Sequence, residues 1–178
     1  MSKMFKTLRE DHIEFIRKQP VFFTGTAAGE GTVNVSPKGM DALRVLNNNE
    51  LLWLNLTGSG NETAAHLLQN TRITLMWCSF DEKPLILRVY GQGESYENDS
   101  EYFKQNISLF PSYPGARQLV KVKIHKVQTS CGYAVPIMDF KEDRTVLNQW
   151  AKKQGEGRLM QYRDEKNSIS IDGFKIKK

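Results

Sequence analysis

Residues 51–70, which read L-L-W-L-N-L-T-G-S-G-N-E-T-A-A-H-L-L-Q-N, constrain the fold more than any other stretch of the chain. The opening apolar run, Leu51-Leu52-Trp53-Leu54, has the length of a strand buried on both faces. It breaks at Thr57-Gly58-Ser59-Gly60-Asn61, where two glycines free the backbone from steric restriction. Ser59 followed three residues later by Glu62 has the spacing of a capping box, so the sequence predicts a helix over 62–70. Strand, glycine loop and helix start together form a candidate anion site, because free N–H groups and the positive end of the helix dipole would face a phosphate. A surface helix reached by a plain turn uses the same residues, and this stretch alone leaves both readings open.

The flanking sequence supplies mostly strands. Phe5, Leu8, His12, Phe15 and Ile16 recur at helical spacing, which predicts an amphipathic helix over 3–18 that Pro20 stops. Residues 21–26 and 32–36 are rich in β-formers around the turn Gly29-Glu30-Gly31, so a hairpin fits. Pro37 and Gly39 then bracket Lys38 in a stretch read as irregular. Strands follow at 42–46, 51–56, 72–78 and 85–91, and this spacing suggests a barrel or sandwich. Asp99 and Ser100 cap a short helix to about Asn106. The segment 117–129 alternates apolar and basic residues, as a half-buried strand with a basic face would. Beyond Gly132 the character changes. A helix over 144–153 ends before Gly155, a second short helix is expected over 159–162, and a polar tail carries Ile169 and Ile171. One domain is expected, with a barrel over 1–132 and an extension over 133–178 packed on it.

Composition excludes several classes. Hydrophobic residues make up 39% and charged residues 25%, as in a soluble globular protein. No apolar run approaches a membrane span, and the charged N-terminus lacks the apolar region of a secretory signal. Cys78 and Cys131 have no metal-ligand spacing, so no metal site is expected, and a cytoplasmic setting with reduced thiols fits best. Between Tyr102 and Met138 there is no Asp or Glu, although the net charge of the chain is only +5. The lysines of that stretch read as the solvated side of a sheet. Aromatics do not interleave with them as a nucleic-acid surface requires.

No nucleophile elbow, paired carboxylates or metal-spaced cluster is present, and no side chain is assigned as a general acid or base. His66, beside Leu67 and Leu68, reads as a packed residue. Trp53, Trp77 and Phe80 read as core, or as walls for a planar ring. Lys38 and Arg88 lie in or at the ends of strands, where an unpaired cation is costly to bury and a bound anion would relieve the cost.

Six blocks then occur in order: V-N-V-S-P-K-G (33–39), L-N-L-T-G-S-G-N-E-T-A-A-H-L (54–67), R-I-T-L-M-W-C (72–78), L-I-L-R-V-Y-G (85–91), S-C-G-Y-A-V-P (130–136) and K-N-S-I-S-I-D-G (166–173). Together they resemble the pyridoxamine 5′-phosphate oxidase-related family of FMN-binding split β-barrels. The resemblance implies a mainly β, α+β fold: a six-stranded antiparallel split barrel with flanking helices. It also implies a homodimer with FMN at the subunit interface. By that resemblance Ser36, Lys38 and Gly39 run beside the flavin. Asn55, Thr57, Ser59, Gly60, Asn61 and Thr63 reach its ribityl chain and phosphate, and Arg88 approaches from the second subunit. The Arg-Lys pair of the oxidases at the phosphate loop is replaced here by Gly, Asn, Glu and Thr, and their C-terminal Trp and Arg-His motif is absent. Pyridoxamine phosphate oxidation is therefore not carried over. The expectation is an FMN-dependent oxidoreductase of unassigned substrate; the alternative is a non-catalytic binder of a flavin or haem-type ligand on the same barrel.

Overall fold

The structure, a computed structural model, describes residues 2–176; Met1, Lys177 and Lys178, at the outer ends of the two expected segments, lie outside the described residues. The elements are β1 (Lys3–Phe5), α1 (Glu10–Lys18), β2 (Phe22–Ala27), β3 (Val33–Lys38), β4 (Leu43–Asn47), β5 (Glu50–Leu56), α2 (Glu62–Gln69) and β6 (Arg72–Cys78). After them come β7 (Ile86–Glu97), α3 (Glu101–Asn106) with a 3-10 turn (Ile107–Leu109), β8 (Ala116–Ser130) and α4 (Val146–Lys166). All strand pairings are antiparallel, in the order β3-β2-β6-β7-β8-β5-β4, with β1 added beside β8. The two ends of that path, β3 and β4, do not pair among the described residues, so the barrel is split along one seam.

The mainly β, α+β architecture agrees with the expectation, but the sheet has eight strands rather than six. β4 folds back on β5 as a hairpin, and β1 takes the end of β8 that β5 leaves unpaired, with Phe5 opposite Val127. This corrects the N-terminal helix predicted over 3–18. Its first residues pair as a strand, and the helix starts only after Arg9, whose backbone is extended (φ −111°, ψ 169°), with Glu10 and Asp11 in the first turn facing the helix dipole. Pro37, read as irregular, lies inside β3, where Phe23 is its partner. An edge strand tolerates proline, because the missing N–H faces away from the ladder. Gly155 interrupts α4 at a φ of 74°, so the two helices expected on either side of it are both present in one bent element.

β5 is buried on both faces. Leu51 and Trp53 point into the barrel among Trp77, Leu75, Leu87, Val89, Val120 and Val122. Leu52 and Leu54 point outward under Phe103 and Phe110. Asn55 continues the inward row, which carries a polar group to the barrel's rim. The longest pairing, β7 with β8, bends at a register shift beside Gly91. A Cβ at that position would lie 2.5 Å from the Lys123 carbonyl oxygen and 2.8 Å from Val122 Cγ1. Gly91→Ala should therefore cost roughly 1–3 kcal/mol or more in urea unfolding. Gly29→Ala, where nothing lies within 4 Å of the new Cβ, should stay within about 0.5 kcal/mol of the parent.

Candidate functional site

The polar residues of the inward rows meet at the seam. Lys38, on edge strand β3, reaches across to β5, where its Nζ donates to Asn55 Oδ1 at 3.4 Å. Asn55 Nδ2 in turn donates to Gln118 Oε1 at 3.0 Å and to Asn61 Oδ1 at 3.3 Å, and Gln118 Nε2 donates to Glu97 Oε1 at 2.6 Å. Among the described residues no carboxylate lies within ion-pair distance of Lys38. Burial, followed by repulsion from Arg117, pulls its ammonium down from 10.5 to about 8. A half-buried cation whose polar contact is a neutral amide is the group that a bound anion would complete.

A second polar chain ties β3 to α2. Ser36 Oγ donates to Asn34 Oδ1 at 3.0 Å, and Asn34 Nδ2 donates to Thr63 Oγ1 at 3.1 Å and to Thr26 Oγ1 at 3.3 Å. Thr26 Oγ1 also lies 3.1 Å from His66 Nδ1, within the buried interior. His66 is thus a packed residue under the sheet, as its leucine neighbours suggested, although its Nε2 has no partner.

The glycine loop is gripped from behind by α4 and the tail. Arg163 Nε donates to Thr57 Oγ1 at 2.8 Å, and Asn167 Nδ2 donates to the Gly58 carbonyl at 3.1 Å. Buried Arg117 donates through Nη1 to the Gly60 carbonyl at 3.2 Å and to Asn167 Oδ1 at 2.7 Å. In a planar trans peptide the carbonyl and the following N–H point in opposite directions. With the Gly58 carbonyl turned toward Asn167 and the Gly60 carbonyl toward Arg117, the N–H groups of Ser59 and Asn61 point away from those side chains. The Arg117 side chain, pushed down to about 10 by burial and then by Arg163, leaves its Nε unpartnered.

The predicted capping box is corrected. Ser59 is exposed and Asn61 is the N-cap; neither side chain caps the helix, because Asn61 is turned toward Asn55. The Glu62 carboxylate instead accepts the Ile171 N–H from the tail at 3.2 Å. The structure therefore gathers Ser36, Lys38, Asn55, Thr57, Gly60, Asn61 and Thr63 into connected hydrogen-bond networks. Gly39 lies just beyond Lys38, where a Cβ would come 3.3 Å from the Pro20 carbonyl oxygen. Arg88 is not part of the cluster within one chain. It sits on the outer face in the row Pro37, Phe23, Met76, Arg88, and its Nη1 donates to Ser130 Oγ at 3.1 Å. Arg117, Gln118, Arg163 and Asn167 were not predicted. Gln118 had a signal in that it faces Asn55 across the ladder; the other three contact loop residues distant in sequence.

Residues 8–131 match the family model described as pyridoxamine 5′-phosphate oxidase. The chain is also 34% identical, over 98% of its length and 77% of the relative's, to the pyridoxamine 5′-phosphate oxidase family protein ustO of Aspergillus flavus. The chain belongs to the pyridoxamine 5′-phosphate oxidase family. Solved structures share its fold at low identity. HupZ of Group A Streptococcus superposes with a TM-score of 0.53 at 15% identity, covering 67% of this chain and 91% of that one. A protein from Mycobacterium smegmatis described as an FAD binding protein gives 0.52 at 13% identity, covering 70% and 97%. Among the described residues no group of three or more His, Cys, Asp or Glu is placed to hold a metal ion, and no helix is long and apolar enough to cross a membrane.

The seam lysine has a pH signature. Its folded pKa lies below its unfolded one, so between pH 8 and 10 the unfolded chain holds more protons and stability should rise with pH. In the ligand-free protein this rise should be on the order of 1 kcal/mol by pH 9 in urea titrations, and Lys38→Met should flatten it.

Proposed function

We infer that this family member binds FMN at the barrel seam and acts as a flavin-dependent oxidoreductase. The observation that carries the reading is the Lys38 ammonium, half-buried at the seam without a carboxylate and close to a glycine loop whose carbonyls are turned the other way. The donor set suits a phosphate monoester: one cation, the N–H groups of Ser59 and Asn61, and the hydroxyl of Thr63. Bound flavin would supply the two-electron chemistry, while the chain supplies binding, orientation and electrostatics. In this role Lys38 neutralises phosphate charge. Arg163, Asn167 and Arg117 hold the loop's peptide planes in the donating orientation, and Asn55 fixes the lysine's position. Family membership supports the reading, as does a fold relative whose name records FAD binding.

A second copy of the chain completes the reading. On the outer face of β3, Val33 is 73% and Val35 65% exposed, in the same alternating row as Pro37 and beside Phe23 and Met76. Large apolar side chains left in water on an edge strand suit burial against a partner. Arg88 lies on this same face, so dimerisation would carry it toward the partner's seam.

Flavin titration of the purified full chain tests the proposal. FMN fluorescence should quench with saturation, and Lys38→Met should weaken the affinity about ten- to a hundredfold, the effect of losing one hydrogen bond to a charged group. Affinity should fall as pH rises through 8, where Lys38 loses its proton, and also below about 6, where the phosphate gains one. A chain that ignores FMN at tens of micromolar overturns the reading. Oxidation of NADH or NADPH by the loaded protein separates an oxidoreductase from a binder.

A further inference from the structure

A large cavity lies apart from the seam. It has a volume of about 1150 Å³ and lies between the barrel mouth and the C-terminal extension. Pro37, Met40 and Phe80 form the barrel wall, and Met138, Phe140 and Trp150 form the facing wall. The volume slightly exceeds the roughly 300–1000 Å³ of ordinary ligand pockets, which leaves room for an extended organic ligand. Two residues of its lining, Pro37 and Gly39, are the chain neighbours of Lys38, and Pro37 faces the side of β3 opposite to the lysine side chain.

Three features set it apart from a packing void. First, one turn of its barrel-side lining is strained. Met40 and Asp41 both adopt left-handed backbone, with φ of 64° and 51°, which side chains other than glycine rarely occupy. The Tyr113 hydroxyl, donating to the Met40 carbonyl, and a 2.7 Å ion pair between Asp41 and Arg44 hold this turn in place. Such strain persists where the surroundings over-determine it, and it collects at ligand clamps. Second, Met138 and Phe140 of the facing wall lie on a segment without regular secondary structure, tied to the barrel where the Met138 N–H donates to the Phe80 carbonyl at 3.0 Å. On that segment Met138 is 58% and Phe140 60% exposed, and a ligand filling the cavity would cover them. Third, the lining is acidic on a chain of net charge +5. Asp81, Asp139, Glu142 and Asp143 have no ion-pair partner among the described residues, and they outnumber Arg17, Lys18 and Arg144.

We propose that this cavity is a binding site for an extended apolar organic cation, whose body packs between Phe80, Phe140 and Trp150 and whose positive charge faces the unpaired carboxylates. Aromatic faces attract a poorly hydrated cation through their quadrupole, and nearby carboxylates add to that attraction. The chemistry suits an alkylated or protonated amine on a hydrophobic skeleton and disfavours an anion. That this occupant is the reaction partner of the seam flavin rests on the flavin reading; its binding does not.

Trp150 is the reporter, since the other two tryptophans are 0% and 1% exposed in the core. The full chain, with and without FMN, is titrated with 4-phenylbutyltrimethylammonium, with its neutral tert-butyl isostere and with 4-phenylbutyrate. The cation is expected to change Trp150 fluorescence with micromolar saturation, the isostere to bind at least tenfold more weakly and the carboxylate more weakly still. Asp139→Asn with Glu142→Gln should erase most of the preference for the cation, and Phe140→Ser should weaken both the cation and the isostere. Calorimetry on the same variants, with far-ultraviolet dichroism unchanged, separates lost binding from lost folding. Equal binding of cation and isostere, preference for the carboxylate, or no saturation by millimolar cation overturns the proposal. FMN uptake without cation binding removes this site alone, and cation binding without FMN uptake removes the flavin reading alone.

Discussion

Along one seam the barrel leaves its edges unpaired, and the side chain that spans this opening is a lysine held by an amide oxygen. A carboxylate at that place would give a closed ion pair and an inert rim. Asn55 fixes the ammonium's position without neutralising it, and burial, followed by repulsion from Arg117, lowers the lysine's own pKa. The rest of the rim follows from this arrangement. Gln118 and Glu97 orient Asn55 from the neighbouring strands, and Asn61 is drawn from helix capping into the same network.

The C-terminal extension is part of that rim. Arg163 and Asn167 reach loop residues 106 and 109 positions away along the chain, and Asp172 accepts from the Thr32 backbone and hydroxyl at the β2–β3 turn. Phe174 and Ile176 pack on Ala64 and Ala65 of α2, so the tail also sets that helix against the barrel. Burial lowers the proton affinity of all three cations here, Lys38, Arg117 and Arg163; Arg117 lowers that of Lys38 further and Arg163 that of Arg117, while Glu97 opposes the shift at both arginines. Loops built around phosphates use backbone N–H groups for the same reason, since these donors add attraction without adding a like charge.

Inside and outside are assigned with unequal clarity along the chain. On β8, Lys123, His125 and Lys126 face solvent as the alternation of basic and apolar residues implied, and Lys121 is tied to Glu50 at 2.9 Å. On β3 the exposed row is apolar and the inward row polar, the reverse of an ordinary edge strand. That inversion fits the proposed reading, in which the outer face would meet a second subunit and the inner face a polar ligand. The short N-terminal strand shows the opposite difficulty. Phe5 and Leu8 suit a helical stripe, yet the unpaired end of β8 offers ladder bonds to residues 3–5 that a helix there would forgo.

The residues alone determined the two-faced burial of β5, because a continuous apolar run has no polar side to leave in water. They also determined the break that follows, because two glycines and an asparagine cannot extend the strand. The run of β-formers punctuated by turns carried the fold class, and Lys38, Asn55 and Thr63 lay in blocks legible by pattern. Tertiary structure decided everything that depends on what lies opposite: that Asn61 serves Asn55 and not its own helix, that Arg117 is buried, and that Arg163 and Asn167 close on the glycine loop. Periodicity reports which way a side chain points along its own element. Which distant element it meets is set only when the barrel closes, since partners so far apart in sequence are brought together by burial of the whole core and not by any local preference.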